Sequence, residues 1–149
     1  MNYLSEEEYK KVFELAPVCC VDLFVCHKDK FLLAKRTMEP AKGEWWFPGG
    51  RVRKGEKLEG AIKRIAKDEL GISVKGDRVI GVFSLFFDKG PFGLRNVHNI
   101  VVCFLVYPVD DDPNIVLDKT HTEYKWFDKC EGLHPYIRRI FDWKYWVKK

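Results

Sequence analysis

The chain has 149 residues, a length that suits one compact domain spanning 1–149. A composition of 46% hydrophobic and 15% aromatic residues excludes a disordered, collagen-like or low-complexity protein. Its 26 basic residues interleave with 22 acidic ones for a net charge of +4, which suits an anionic small molecule and supplies no basic stripe for nucleic acid.

Ser5 ahead of Glu6, Glu7 and Glu8 reads as a helix N-cap with acids at the positive end of the dipole, giving a short helix to about Glu14. Val18 to Cys26 is an apolar run interrupted by Asp22, a strand. The Lys28-Asp29-Lys30 turn joins it in a hairpin to Phe31–Lys35. Thr37 to Glu44 is a loop, and Trp45 to Pro48 leads into the Gly49-Gly50 turn. Glu56 to Leu70 is the strongest predicted helix, with Leu58, Ala61, Ile62, Ile65 and Ala66 at helical spacing and Gly71 as its stop. Ile72–Val74 is short and extended. Val79–Phe87 and His98–Tyr107 are long strands, joined by Asp88–Asn96, a Gly- and Pro-containing segment long enough for a binding loop. A polar loop over Asp110–Asp118 precedes a short strand at Glu123–Phe127, and Tyr136–Trp146 forms a closing helix. Several strands with one strong central helix and one terminal helix predict an α/β or α+β fold, a mixed sheet packed between helices.

The N-terminus, Met1 to Lys11, is charged and has no apolar stretch of the signal-peptide kind; no segment reaches membrane-spanning length. Cys19, Cys20, Cys26, Cys103 and Cys130 make an odd set without a CxxC pair, which reads as reduced thiols in a cytoplasmic protein. Lys144, Lys148 and Lys149 read as a solvated terminus.

The chemistry centres on Gly49-Gly50, Glu56, Arg64, Asp68-Glu69 and Gly71-Ile72. A Gly-Gly turn lets backbone approach a ligand closely. Ile65, Asp68 and Glu69, three and four residues apart, are expected on one helix face. Two carboxylates beside a turn carbonyl would make an oxygen-rich pocket suited to Mg2+, with Mn2+ possible. Arg64 either orients Asp68 or reaches Glu56. An ordinary amphipathic helix with a solvated acidic end is the plain alternative.

This arrangement resembles the Nudix box: Gly50, five residues, Glu56, seven residues, Arg64, then Ala66, Asp68, Glu69, Gly71 and Ile72. One position departs, for Ile65 stands where that family has a glutamate. The segment from Leu33 to Thr37, with Pro40 and Gly43 to Val52, is similar to the GDP-mannose mannosyl hydrolase branch, which also lacks that glutamate. The resemblance implies a Nudix α/β/α sandwich and Mg2+-dependent release of GDP and free sugar by attack at the anomeric carbon. It further implies a nucleoside-diphosphate sugar as substrate, with neither nucleic acid nor membrane as partner, and a homodimer. On the matching positions, the Gly49 carbonyl and Glu69 hold the metal and Asp68 adds a ligand. His121 is the general base. Arg36 and Arg51 bind and stabilise the diphosphate, and Asp22 organises the sugar site. Thr120, Leu85, Phe87 and Asn99 replace a glutamine, a histidine and two tyrosines of the branch. Trp45 and Trp46 divide between core and ligand, and Phe86, Phe87 and Phe92 either line a nucleobase pocket or pack. Cleavage between the phosphates and a non-catalytic nucleotide sensor are the competing expectations.

Overall fold

The computed structural model describes residues 4–142, apart from the side chain of Asp77. Helix α1 spans Glu6–Leu15, capped by a reciprocal Ser5–Glu8 box as the sequence indicated. Strands β1 (Val18–His27) and β2 (Lys30–Arg36) form the expected hairpin, followed by β3 (Trp45–Trp46) and β4 (Gly49–Arg51). Helix α2 (Leu58–Leu70) ends at Gly71 in the left-handed conformation, φ 69°. Strands β5 (Val74–Lys89), β6 (Arg95–Pro108) and β7 (His121–Phe127) follow, then α3 (Pro135–Phe141). The rest of the predicted closing helix and the terminal lysines lie outside the described residues.

The sheet runs β3-β2-β1-β6-β5, with β4 paired to β1 and β7 to β2. It is mixed, because β1 lies parallel to β6 while its other neighbours run antiparallel. Strand alternation sends successive side chains to opposite faces. On one face Val21, Leu23, Val25, Leu32, Phe104 and Val106 pack with Ala61, Ile62, Ile65, Ala66 and Leu70 of α2. On the other, Phe24, Phe31, Leu33, Trp46, Cys103 and Leu105 pack with Tyr136, Ile137 and Ile140 of α3. The result is the expected sandwich of helices about a mixed sheet.

Several boundaries depart from expectation; β7, for one, begins at His121 and not at Glu123. The central helix begins at Leu58, not Glu56, because Glu56 accepts from the Arg53 N–H and from Arg64 and so closes the preceding turn. The two strand segments from Ile72 to Phe87 merge into one 16-residue β5, with register shifts near Gly76 and Val79. The anticipated Asp88–Asn96 binding loop contracts to a tight turn. Lys89 pairs with Arg95, the Gly90 N–H donates to the Leu94 carbonyl at 2.8 Å, and Phe92 and Gly93 take positive φ. None of the five cysteines is in a disulfide, and no helix among the described residues is long and apolar enough to cross a membrane.

Candidate active site

Strand β4 organises the site through its hydrogen-bond phase. Leu23 donates to the Pro48 carbonyl and Val52 donates to the Cys19 carbonyl, so residues 48, 50 and 52 face β1. Gly49 and Arg51 therefore turn their backbone polar groups away from β1, toward α2. The Gly49 N–H donates to Glu69 Oε2 at 3.1 Å, and the Arg51 carbonyl accepts from Arg64 at 3.0 Å. The Gly49 carbonyl lies on the same outward side, beside the Glu69 carboxylate. Glycine is required at 49: a Cβ there would strike Asp22 Oδ1 and sit 2.7 Å from the Val21 carbonyl.

Arg64 resolves its two alternatives in favour of Glu56, with contacts of 2.7 and 2.9 Å to the two carboxylate oxygens. That guanidinium holds the Glu56 carboxyl down at about 2. Asp68 does not share the Glu69 face. One residue earlier on the helix, it is rotated about 100° and is exposed, in line with Arg64 rather than with Ile65. Ile65 of α2 is buried in the core shared with β1, its tip near Gly50. Hydrocarbon therefore occupies the helix position directly after the arginine.

His121 opens β7, where its backbone pairs with Arg36 of β2. The side chain is buried, with Nδ1 2.9 Å from Asp118 Oδ1 and Nε2 3.9 Å from Glu69 Oε2. Burial depresses its pKa against the opposing pull of Asp118, so the imidazole is neutral near pH 7. With the proton on the nitrogen facing Asp118, Nε2 keeps its lone pair, and it has no hydrogen-bond partner. Thr120 does not point to the metal position: its hydroxyl donates to Asp118 at 2.7 Å. Asp118, missed at the level of sequence, thus holds both neighbours, and its spacing three residues before His121 was the available signal.

Burial and the nearby Asp118 charge push the Glu69 carboxyl up to about 8. Asp22, also buried, is pushed up to about 7, although its Oδ2 accepts from the Tyr136 hydroxyl at 2.7 Å. That partner, on α3, had no local signal in the sequence.

A cavity of about 110 Å3 lies on the α3 side of the sheet. Asp22, Arg36, Gly49 and Arg51 line it together, whereas His121, Glu69 and Asp68 are not among its lining residues. Arg36 anchors its Nε on the Pro40 carbonyl at 2.6 Å. Arg51 lies over the Tyr9 ring, 5.8 Å from its centroid. Tyr9 and Phe13 of α1 also line the cavity, an arrangement that local pattern could not reveal. Trp46 is both core and cavity wall, stacked on Tyr136, while Trp45 packs edge-on against Phe127. Phe87 and Asn99 line the cavity, and Phe86 is exposed beside His98.

Among the described residues no three His, Cys, Asp or Glu side chains form a metal cluster. A hard divalent cation still fits here. Glu69 supplies a carboxylate, Gly49 an outward carbonyl, and Mg2+ takes remaining ligands from water and substrate phosphates. The buried, unpartnered His121 Nε2 marks the same place as polar.

The NUDIX domain family model matches residues 16–143. The low-salt glycan biosynthesis protein Agl8 of Haloferax volcanii is 38% identical over 141 residues, covering 93% of this chain and 89% of that protein. An ADP-ribose pyrophosphatase of Methanocaldococcus jannaschii is 37% identical over 92 residues, 62% of this chain and 52% of that protein. In three dimensions the MutT protein from Methanosarcina mazei aligns with a TM-score of 0.70 at 26% identity, covering 91% of this chain and 98% of that one. With the box laid out from Gly50 to Ile72 on the β4–α2 unit, the chain belongs to the Nudix family.

Proposed function

We propose that this Nudix protein is a Mg2+-dependent hydrolase of nucleoside-diphosphate sugars that attacks the anomeric carbon, with GDP-mannose or GDP-glucose as substrate. One observation carries this reading: Ile65 removes the box carboxylate, while a buried, neutral His121 presents an unpartnered Nε2 beside Glu69. A base off the helix replaces a base on it.

In this reading His121 Nε2 takes a proton from water as the water oxygen bonds to the sugar C1. The bond from C1 to the diphosphate oxygen breaks, and its electron pair leaves with the nucleoside diphosphate. Asp118 keeps the proton on Nδ1 and stabilises the imidazolium that forms. Arg36 and Arg51 meet the charge that develops on the departing diphosphate. Asp22, held by Tyr136, lines the sugar end. A divalent ion on Glu69 and the Gly49 carbonyl would neutralise the diphosphate and improve it as a leaving group. The relative named for glycan biosynthesis supports a sugar nucleotide as the substrate class.

Cleavage between the phosphates is the second reading, favoured by the relative named as an ADP-ribose pyrophosphatase. Exposed Asp68 lends it no support. Chromatography of products from GDP-mannose and Mg2+ separates the two. GDP with mannose is expected; GMP with mannose 1-phosphate would overturn the proposal.

A further inference from the structure

We propose that Asn99 reads a hydrogen-bond donor on the nucleoside half of the ligand, and so sets nucleoside specificity. This inference rests on the nucleotide-sugar reading of the same cavity.

Asn99 lines the cavity and is only 8% exposed, yet its Oδ1 has no hydrogen-bond partner. Buried amide oxygens are rarely left so, and one on a side chain that lines a cavity is matched by a donor from water or from a ligand. Its neighbours offer none: Leu85 is its partner on β5, and Phe87 and Val101 complete that wall.

The sheet register places this amide relative to the chemistry. Asn99, Val101 and Cys103 project from one face of β6, by strand alternation. Cys103 pairs with Asp22, which pairs with Gly49, and this row carries the metal position through the Gly49–Glu69 contact. Val101 pairs with Cys20, which pairs with Arg51. Asn99 lies one further row out, four residues from Cys103, or about 13 Å along the strand. The three rows thus run from reactive centre, through a diphosphate-binding arginine, to Asn99. In the proposed reaction the sugar lies at the Asp22 end of these rows, so the nucleoside extends to the other. Tyr9, Phe13, Phe87 and Pro91 also line the cavity, flat and apolar surfaces that suit a base.

A carbonyl oxygen repels phosphate and accepts from N–H or O–H. The donor is therefore a nucleobase N–H or a ribose hydroxyl, and the test separates these sources. Calorimetric titrations with Mg2+ would compare GDP, ADP, CDP, UDP, 2′-deoxy-GDP and inorganic pyrophosphate on the wild type, Asn99→Leu and Asn99→Asp. The wild type is expected to prefer one base, or ribose over deoxyribose, by about ten-fold, the scale of one ligand hydrogen bond. Asn99→Leu should erase that preference and leave pyrophosphate affinity unchanged, while Asn99→Asp, which retains an acceptor, should keep it. Loss of base preference assigns the contact to the base, and loss of the ribose preference assigns it to the sugar hydroxyl. A preference that survives Asn99→Leu overturns the inference, as does a wild type without preference or equal weakening of pyrophosphate. If no nucleoside diphosphate binds the wild type, the nucleotide-sugar reading itself fails.

Discussion

Burial acts on Glu69 and His121 with opposite signs and one outcome, since each charged form is disfavoured and both groups are neutral near pH 7 without metal. If Glu69 holds the proposed ion, binding must expel its proton. Titration of Mg2+ at pH 7 in buffers of different ionisation heat should show release of about one proton, and Glu69→Gln should bind no ion there. Binding without proton release would contradict the assignment. The sign also fixes stability. With its pKa raised from 4.5 to about 8, the folded metal-free protein holds this proton more tightly than the unfolded chain. Stability from this group is therefore lost as pH rises through that window. Of the residues the proposal uses, Asp22, Arg36, Gly49, Arg51, Glu69 and His121 could be singled out in the sequence because they occupy motif positions. Asp68 was misplaced because adjacent helix positions diverge by about 100°, and Tyr136 was invisible because 114 residues separate it from Asp22.

The decisive element is the β4–turn–α2 unit. Arg64 ties the middle of the helix to the turn through Glu56 and to the strand through the Arg51 carbonyl, so Gly49 and Glu69 are presented by one braced piece. Glu56 is depressed to about 2, so its contribution is present above its unfolded value of 4.5 and is lost as pH falls toward 2. Glu56→Gln is expected to cost about 1–2 kcal/mol at pH 7 after allowance for solvent screening, with the difference vanishing in acid. Urea unfolding at a series of pH values checks this, and a pH-independent difference would contradict it. The Ser5 cap made α1 readable from sequence, helical periodicity made α2 readable, and two apolar runs about the Lys28-Asp29-Lys30 turn made the β1–β2 hairpin readable. The β5–β6 turn was misread because a short turn with positive φ and a long loop share the same Gly and Pro content. The start of α2 was misread because a side-chain contact from Glu56 to Arg64, not helix propensity, sets it.

At the scale of the molecule, the sheet separates two tasks. Both faces carry core, but its α2 face also brings Glu69 to Gly49 while its α3 face also builds the cavity, with Asp22 and Gly49 paired at the junction. The layered fold was readable from the order of elements. The contribution of α1 to the cavity through Tyr9 and Phe13 was not, because only tertiary packing brings that helix over β6. The central claim is that water attacks carbon and that His121 activates it. The most direct measurement is turnover of GDP-mannose with Mg2+ in 18O-enriched water, followed by mass analysis of both products, for the wild type and His121→Gln. Label is expected in mannose and none in GDP, with turnover lowered about 10²- to 10⁴-fold in the variant. Label on a phosphate, or undiminished sugar release by His121→Gln, would contradict it.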